Sequence, residues 1–259
     1  MWEASAVRCG TLAALSSDIT DATLLCERCG YVLEGLDERG ACPECGQPIA
    51  ESLPSRRTGT PFQVSPGWRG LVAQCELLAT SPTRVFEQVR FKHPEDLALC
   101  MWSLCVASAP GAIIVLLLGA LHPDLMVFSF IQTAFVAAAV FFLTVALLGT
   151  LSWIEYLGVS FFSRRRNWRV QKHVARAVCA NAMLGWIPTG FFIAIGFAAM
   201  SVIEMFVQRG PIGVRPWVGT AAAAMPVLGF IAGMLVFESL VYIGVRCCKY
   251  ANWVPRPEK

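Results

Sequence analysis

The chain has 259 residues, of which 56% are hydrophobic and only 15% are charged, against roughly 45–50% and about 25% in soluble domains. This composition argues against an ordinary soluble domain, and the net charge of +3 is too small to indicate nucleic-acid binding by itself. Of the 18 acidic residues, 13 precede Leu97. The sequence therefore predicts a polar head followed by a membrane-embedded part.

Residues 1–23 are small and polar without periodicity, which predicts a loosely ordered tail. This tail carries Glu3, Asp18 and Asp21 and has no continuous apolar core, whereas a secretory signal peptide has a basic start and an apolar middle. We therefore expect the N-terminus to stay in the cytoplasm. Cys9 lies alone here, as a free thiol would.

Residues 24–50, here called the ribbon segment, contain two Cys-x-x-Cys pairs that are separated by twelve residues and each followed by a glycine. A tight turn lets both sulfurs of a pair reach one ion, and the glycine allows the positive φ of such a turn. Four thiolates without histidine are typical of a closed, structural Zn²⁺ site, with iron as the main competitor. The predicted metal ligands are Cys26, Cys29, Cys42 and Cys45.

The spacer between the two pairs predicts a short β-hairpin that carries both metal-binding turns. A redox role is disfavoured, because a thioredoxin-type motif does not come as a matched pair. In its wording, Cys-x-x-Cys-Gly-Tyr followed by Cys-Pro-x-Cys-Gly, the segment resembles the zinc-ribbon head of many bacterial multi-span membrane proteins of uncertain function. The resemblance covers residues 26–48 and implies metal binding without a particular activity.

Residues 51–67 hold Pro54, Pro61 and Pro66 among small and polar residues, a composition that predicts an extended linker. In residues 68–93, apolar residues recur at helical spacing, and Ser81 followed by Pro82 marks the start of a second helix. We expect amphipathic helices that either lie on an anionic membrane surface or pack on the cytoplasmic end of the bundle.

Residues 94–246 are predicted to form an all-α integral membrane bundle of about four spans. The spans are expected at residues 97–121, 125–153, 174–206 and 217–245. The second apolar stretch continues to Phe162. Its length is too great for one span and too small for two. We expect one long span with an interfacial helical end, and a fifth span is the alternative. Pro110, Pro188 and Pro226 fall inside the spans, where proline kinks a helix.

The segments outside four spans carry 9, 0, 6, 2 and 4 Lys and Arg residues in chain order. This alternation follows the positive-inside rule. It predicts a multi-pass protein of the bacterial cytoplasmic membrane, with the ribbon segment, the loop Ser163–Arg176 and the tail 247–259 all in the cytoplasm. A fifth span would place the four positive charges from Arg246 onward outside.

Two acids lie near the expected cytoplasmic ends of apolar stretches, Glu155 in the continuation of the second and Glu238 in the fourth, each eight or nine residues before an arginine. Glu204, near the outer end of the third span, is expected to be solvated. Asn181 and Arg176, at the start of the third span, are expected at a depth similar to that of Glu155 and Glu238. One interpretation is an intramembrane polar cluster that handles protons or ions. The alternative, helix-packing pairs or acids that reach the headgroups, is favoured because these acids lie near an interface rather than at mid-membrane.

The segment Ala79–Val89 contains Ser-Pro, three intervening residues and then Phe, ahead of a charged stretch and the first span. It resembles the Ser/Thr-Pro-x-x-x-Phe segment that precedes the helical bundle of the Yip1 family. The basic loop that leads into Val174–Pro188 is similar to the loop before the third helix of that family. The resemblance covers residues 76–246 and implies a scaffolding or trafficking role without catalysis, although that family has five helices.

The sequence contains no Ser/His/Asp set, Gly-rich phosphate loop or His-Glu-x-x-His motif, so we expect a protein that is not an enzyme. The leading hypothesis is an adaptor or scaffold in the lipid bilayer whose ribbon segment binds a protein partner. The alternative is a small-solute or ion transporter that uses Glu155 and Glu238 and is regulated by the ribbon segment. Nucleic-acid binding is disfavoured, because residues 24–50 carry two arginines against five acids. The oligomeric state stays open.

Overall fold

The computed structural model describes residues 23–120, 127–166, 168–209 and 216–253, which are mostly helical. They divide into two compact units. One comprises the described parts of Met1–Arg56 and Tyr250–Lys259, and the other is Arg57–Lys249. The predicted loose order of residues 1–22 lies outside the described residues. The boundary between the units falls inside the stretch that the composition predicts to be a linker.

The first unit is built from tight turns. Antiparallel bridges join Leu25 to Val32 and Ala41 to Pro48, and short 3-10 turns follow at Ile49–Ser52 and Pro54–Arg56. The predicted β-hairpin is present only as these two bridges, since no strand forms among the residues that the structure describes. The two metal-binding turns occupy most of the segment and leave arms too short for a ladder.

Among its described residues, the second unit contains eight α-helices. They are α1 (Pro61–Val64), α2 (Trp68–Thr80), α3 (Pro82–Gln88), α4 (Glu95–Ala120), α5 (Val127–Arg165), α6 (Lys172–Ala182), α7 (Ile187–Arg209) and α8 (Pro216–Cys247). A 3-10 turn, Met183–Trp186, joins α6 to α7.

In the part of the chain that the structure describes, four helical stretches are long and apolar enough to cross a membrane, as predicted. They are Glu95–Ala120, Phe130–Arg165, Lys172–Ile203 and Ala224–Cys247. The helix α5 is continuous over 39 residues, so the second apolar stretch does not divide into two spans. At 1.5 Å per residue it is about 58 Å long, against a hydrocarbon core of about 30 Å. It therefore fits the expectation of one long span with a helical extension.

The third span contains a break that its proline explains. Pro188 has no N–H to donate to the carbonyl oxygen of Leu184. Ile187 donates to that oxygen instead, and this shorter bond closes the 3-10 turn Met183–Trp186. Pro110 and Pro226 remain within the continuous helices α4 and α8.

Glycines allow the close approach of α7 to its neighbours. A Cβ on Gly190 would lie 1.9 Å from the backbone oxygen of Ala107 in α4, and a Cβ on Gly233 would lie 2.0 Å from Oγ1 of Thr189. Thr189 also donates a hydrogen bond of 3.2 Å to the carbonyl oxygen of Gly229 in α8. The Gly-x-x-x-Gly pair of α8 thus faces α7, as small residues do where membrane helices meet.

The helices α1–α3 pack on the end of the bundle rather than standing apart from it. Gln74 of α2 donates a hydrogen bond of 2.5 Å to Oδ1 of Asn181 in α6, and both side chains are fully buried. The second half of the predicted linker is not extended, because Thr60 and Gln63 form a capping box at the start of α1. Of the two expected settings for residues 68–93, these contacts favour packing on the bundle.

We predict that Gly190→Ala weakens the packing of α4 on α7, because the new methyl group would overlap the Ala107 backbone. Overpacking of this kind costs roughly 1–3 kcal/mol. The matched control is Gly149→Ala in α5, where a Cβ would contact only Leu104 Cδ1 at 3.7 Å. Unfolding of the detergent-solubilised protein should show a lower midpoint for the first variant and an unchanged or slightly raised one for the second. Equal midpoints would contradict this helix packing.

Candidate metal centre

The four predicted cysteine ligands lie together in the first unit. Their Sγ atoms are all within 4.8 Å of one another. The Sγ atoms of Cys26 and Cys45 are 3.5 Å apart, and those of Cys29 and Cys42 are 3.6 Å apart. Four sulfurs at about 2.3 Å from a tetrahedral Zn²⁺ would be about 3.8 Å from one another. The four cysteines are therefore close enough to hold one metal ion, and their spacing is compatible with zinc.

Each pair of cysteines is held by a turn that its glycine closes. The N–H of Gly30 donates to the oxygen of Cys26 at 2.8 Å, and the N–H of Gly46 donates to the oxygen of Cys42 at 2.9 Å. Both glycines have positive φ, at 82° and 72°. This is the left-handed conformation that glycine adopts at little cost, so the two glycines that follow the cysteine pairs are explained by the turn.

The sulfurs differ in their acidity. Burial raises the pKa of the Cys42 thiol, but backbone N–H groups of Cys45 and Glu44 outweigh this effect and lower the pKa to about 7. Cys29 is exposed as a residue, yet its sulfur faces the other three thiols. Desolvation of that sulfur and hydrogen bonds to the neighbouring thiols raise its pKa to about 12. The backbone N–H of Gln47 lowers the pKa of the Cys45 thiol, but burial and the hydrogen bond with Cys26 raise it by more, so that the pKa of Cys45 is raised overall.

Residues from the far end of the chain complete this unit. The buried side chain of Asn252 accepts a hydrogen bond of 3.0 Å from the N–H of Leu25. Its amide nitrogen donates to the carbonyl oxygens of Leu25 at 2.6 Å and of Ser52 at 2.8 Å. The Tyr250 ring lies so close to Gly30 that a Cβ there would be 2.9 Å from it. The ribbon segment and the C-terminal residues therefore form one packed module.

Sequence reasoning missed Asn252. It lies 227 residues from Leu25, and a single asparagine in a polar tail belongs to no metal-binding motif. The sequence gives only a weak indication of this contact. The Lys and Arg distribution predicts that the C-terminal tail and the ribbon segment lie on the same side of the membrane, which would allow them to meet.

The structure brings together two of the four predicted intramembrane polar residues. Glu155 of α5 and Glu238 of α8 line one small cavity of about 250 Å³, together with Arg166, Trp168 and Tyr242. Both acids are half-buried. The neighbouring arginine and tryptophan follow the end of α5, so the cavity belongs to the end of the bundle rather than to its middle.

The other two residues of the predicted cluster lie elsewhere. Asn181 is fully buried, accepts the hydrogen bond from Gln74 and donates to the oxygen of Ala177 at 2.7 Å. Arg176 is exposed and lines a second, larger cavity beside Asp96. The four residues therefore do not share one site.

We predict that Asn252→Ala weakens metal binding, because it leaves the N–H of Leu25 and two carbonyl oxygens in the module without these partners. An unsatisfied buried group costs about 1–3 kcal/mol, so zinc affinity should fall about tenfold or more. Competition with a chromophoric chelator measures this affinity on the full-length protein. Glu44→Ala, an exposed change on the second metal-binding turn, is the control and should bind as the unaltered protein does. An unchanged affinity in Asn252→Ala would contradict the module described here.

We also predict that zinc binding releases protons. Near pH 8 the raised pKa values leave Cys29 and Cys45 protonated, and only thiolates bind the metal. Each displaced proton makes the apparent zinc affinity fall tenfold when the pH is lowered by one unit. With two displaced protons, the affinity should therefore fall at least a hundredfold for each unit by which the pH is lowered. Below about pH 7, where Cys42 also takes up a proton, the fall should be steeper. Chelator competition between pH 6 and 9, values chosen around the pKa of Cys42, measures this slope; a slope near pH 8 of fewer than two protons for each zinc ion would contradict the prediction.

No protein-family model, curated protein or solved structure matches this chain. The resemblances to zinc-ribbon-headed membrane proteins and to the Yip1 family therefore stay predictions. The function has to be inferred from the metal module, the helical bundle and the surfaces of the chain itself.

Proposed function

We propose that this chain is a membrane-anchored adaptor whose metal-bound ribbon segment binds a protein partner. One observation carries the proposal. Three large hydrophobic side chains of the ribbon segment are exposed, Tyr31 by 40%, Val32 by 38% and Leu36 by 39%. The core of the segment is formed instead by two cysteines with Leu33 and Ile49. Large apolar side chains that a small module leaves exposed are candidates for a protein-interaction surface.

The charges around these side chains describe the partner. Glu34, Asp37 and Glu38 lie in the same stretch of chain and are exposed. A complementary surface would have an apolar centre that takes the Tyr31, Val32 and Leu36 side chains and a basic rim. This is the chemistry of a protein surface rather than of a nucleic acid, whose phosphates the three acids would repel.

A structural zinc ion suits the metal centre. All four ligand positions are taken by cysteine sulfurs, which leaves no position open for a substrate. The segment is also too short to build a core by burial alone, so the ion would supply folding free energy that the side chains do not. A catalytic role for the metal is not supported by this ligand set.

The hydrogen bonds between Leu25 and Asn252 support an arrangement in which the ribbon segment and the tail lie on one side of the membrane. The basic loop and the acid-poor tail point to the cytoplasmic side of a bacterial membrane. The adaptor would thus display its interaction surface to cytoplasmic proteins.

A second candidate function is ion or small-solute transport, and the shared cavity of Glu155 and Glu238 favours it. Two acids from different helices beside one cavity are a common arrangement for handling a proton or cation in membrane proteins. The presence of Arg166 and Trp168 in that cavity supports instead an interfacial position, where acids are partly solvated. We therefore place transport second.

Photocrosslinking in membranes tests the adaptor proposal. A photoreactive residue at Leu36 of the full-length protein should yield one defined protein adduct, and the same residue at Ala50, also exposed, should not. Tyr31→Ser together with Val32→Thr should remove the adduct while zinc stays at one per chain. Cys26→Ser with Cys29→Ser should lose both zinc and adduct.

Several outcomes would contradict the proposal. Iron in the purified protein would make electron transfer the better function for the metal centre. Absence of a protein adduct at Leu36, combined with ion flux in vesicles that Glu155→Gln or Glu238→Gln abolishes, would establish transport in its place.

A further inference from the structure

A cavity of about 850 Å³ lies among α4, α5 and α6 in the second unit. We call it the basic cavity, because its lining includes four basic side chains and a single acidic one. The basic side chains are those of Lys92, His93, His173 and Arg176. Neither the metal module nor the cavity of Glu155 and Glu238 shares these residues.

The basic side chains all lie at one end of the cavity. Lys92 and His93 directly precede α4, and His173 and Arg176 belong to the first turns of α6. These are the ends of two helical stretches that are able to cross a membrane. Phosphate groups of lipids lie at this level of a bilayer, where cationic side chains at helix ends are favourable.

The single acid of the basic cavity is engaged by a neighbour. Asp96 is only 3% exposed, and its Oδ1 accepts a hydrogen bond of 3.0 Å from Nε2 of Gln63. Arg176 lines the same cavity, near enough to interact electrostatically with Asp96, and both Arg176 and Lys92 are exposed. Two cationic side chains against one carboxyl group leave the lining with a net positive charge, which favours an anion.

Most of the remaining cavity wall is apolar, with Ser152 and Tyr156 as its polar members, and part of that wall is exposed on the outside of the bundle. Leu97 is 70% exposed, Met101 is 52% exposed and Trp153 is 60% exposed, and all three lie in stretches able to cross the membrane. A ligand with its anionic part at Arg176 would place its remaining part beside these side chains. The cavity therefore suits an amphiphile better than a small soluble anion.

We propose that the basic cavity binds a phospholipid with an anionic headgroup from the surrounding leaflet. The headgroup phosphate lies among Lys92, Arg176 and the two histidines, and the start of an acyl chain runs along Leu97, Met101 and Trp153. The volume of about 850 Å³ is within the range of ligand sites, roughly 300–1,000 Å³. This inference does not depend on the adaptor proposal.

Lipid retention in bilayers of defined composition tests the proposal. The full-length protein is placed in nanodiscs of equal parts phosphatidylglycerol and phosphatidylcholine, transferred to mild detergent, and the lipids that it retains are measured by native mass spectrometry. The unaltered protein should retain phosphatidylglycerol in preference to phosphatidylcholine.

Arg176→Gln combined with Lys92→Asn should reduce this preference at least about tenfold, because each basic residue attracts an anionic headgroup. Asparagine is chosen at Lys92 because that residue has φ of 58°, which asparagine adopts more readily than most residues. The matched control is Arg69→Gln with Arg84→Gln, two exposed basic residues of α2 and α3 that do not line the cavity. This control should keep the preference.

A second variant separates the cavity from its charge. Gly149 lines the basic cavity, and a Cβ there would contact only Leu104 Cδ1 at 3.7 Å, so Gly149→Phe should fill the space without removing a basic residue. It should reduce retention of both lipids, with an unchanged unfolding midpoint. Equal retention of the two lipids by the unaltered protein would overturn the proposal. So would an unaltered preference in the Arg176 and Lys92 variant, or displacement of the lipid by inorganic phosphate alone.

Discussion

Buried side-chain amides determine how the helices ahead of the first span meet the bundle. Gln74 donates to Asn181, and Oε1 of Gln74 accepts from the N–H of Phe62. Gln63 donates to Asp96, and its oxygen accepts from the N–H of Arg90 at 2.9 Å. In an interior that excludes water, each of these groups would cost about 1–3 kcal/mol if its partner were absent. The position of α1 and α2 on α4 and α6 follows from satisfying them together.

The same network sets the electrostatics of the basic cavity. Because Gln63 engages the carboxyl group of Asp96, the acid serves the packing of α1 on α4. Arg57, which precedes α1, is also buried and hydrogen-bonded. It donates to the carbonyl oxygen of Phe86 at 2.9 Å, and its guanidinium group lies over the Phe91 ring. Asp96 and Arg57 are thus buried and hydrogen-bonded within the second unit. Arg176 is exposed and lines the basic cavity near Asp96.

The sequence predicts which stretches of the chain are able to span a membrane. It does not predict which face of each helix meets a neighbouring helix. Hydropathy and the Lys and Arg distribution indicate four spans, because both are properties of the chain taken in order. The same reasoning predicts similar depths for Glu155, Glu238, Asn181 and Arg176. Helices that are apolar on every side carry no periodic signal of which face meets a neighbour, so the pairing of Asn181 with Gln74 and the separate cavity at Arg176 needed the structure. The cysteine ligands were predictable because spacing and turn geometry are local, and Asn252 was not because its contacts are distant.

The hydrogen bonds between Leu25 and Asn252 are compatible with the predicted topology. Among the described residues, four stretches are long and apolar enough to cross a membrane, and an even number of crossings would return Asn252 to the side of Leu25. The helix α5 is continuous, so the second apolar stretch is not divided in the way that a fifth span would require. The metal module joins parts of the chain that are 227 residues apart, because Asn252 follows α8 whereas the cysteine ligands precede α1.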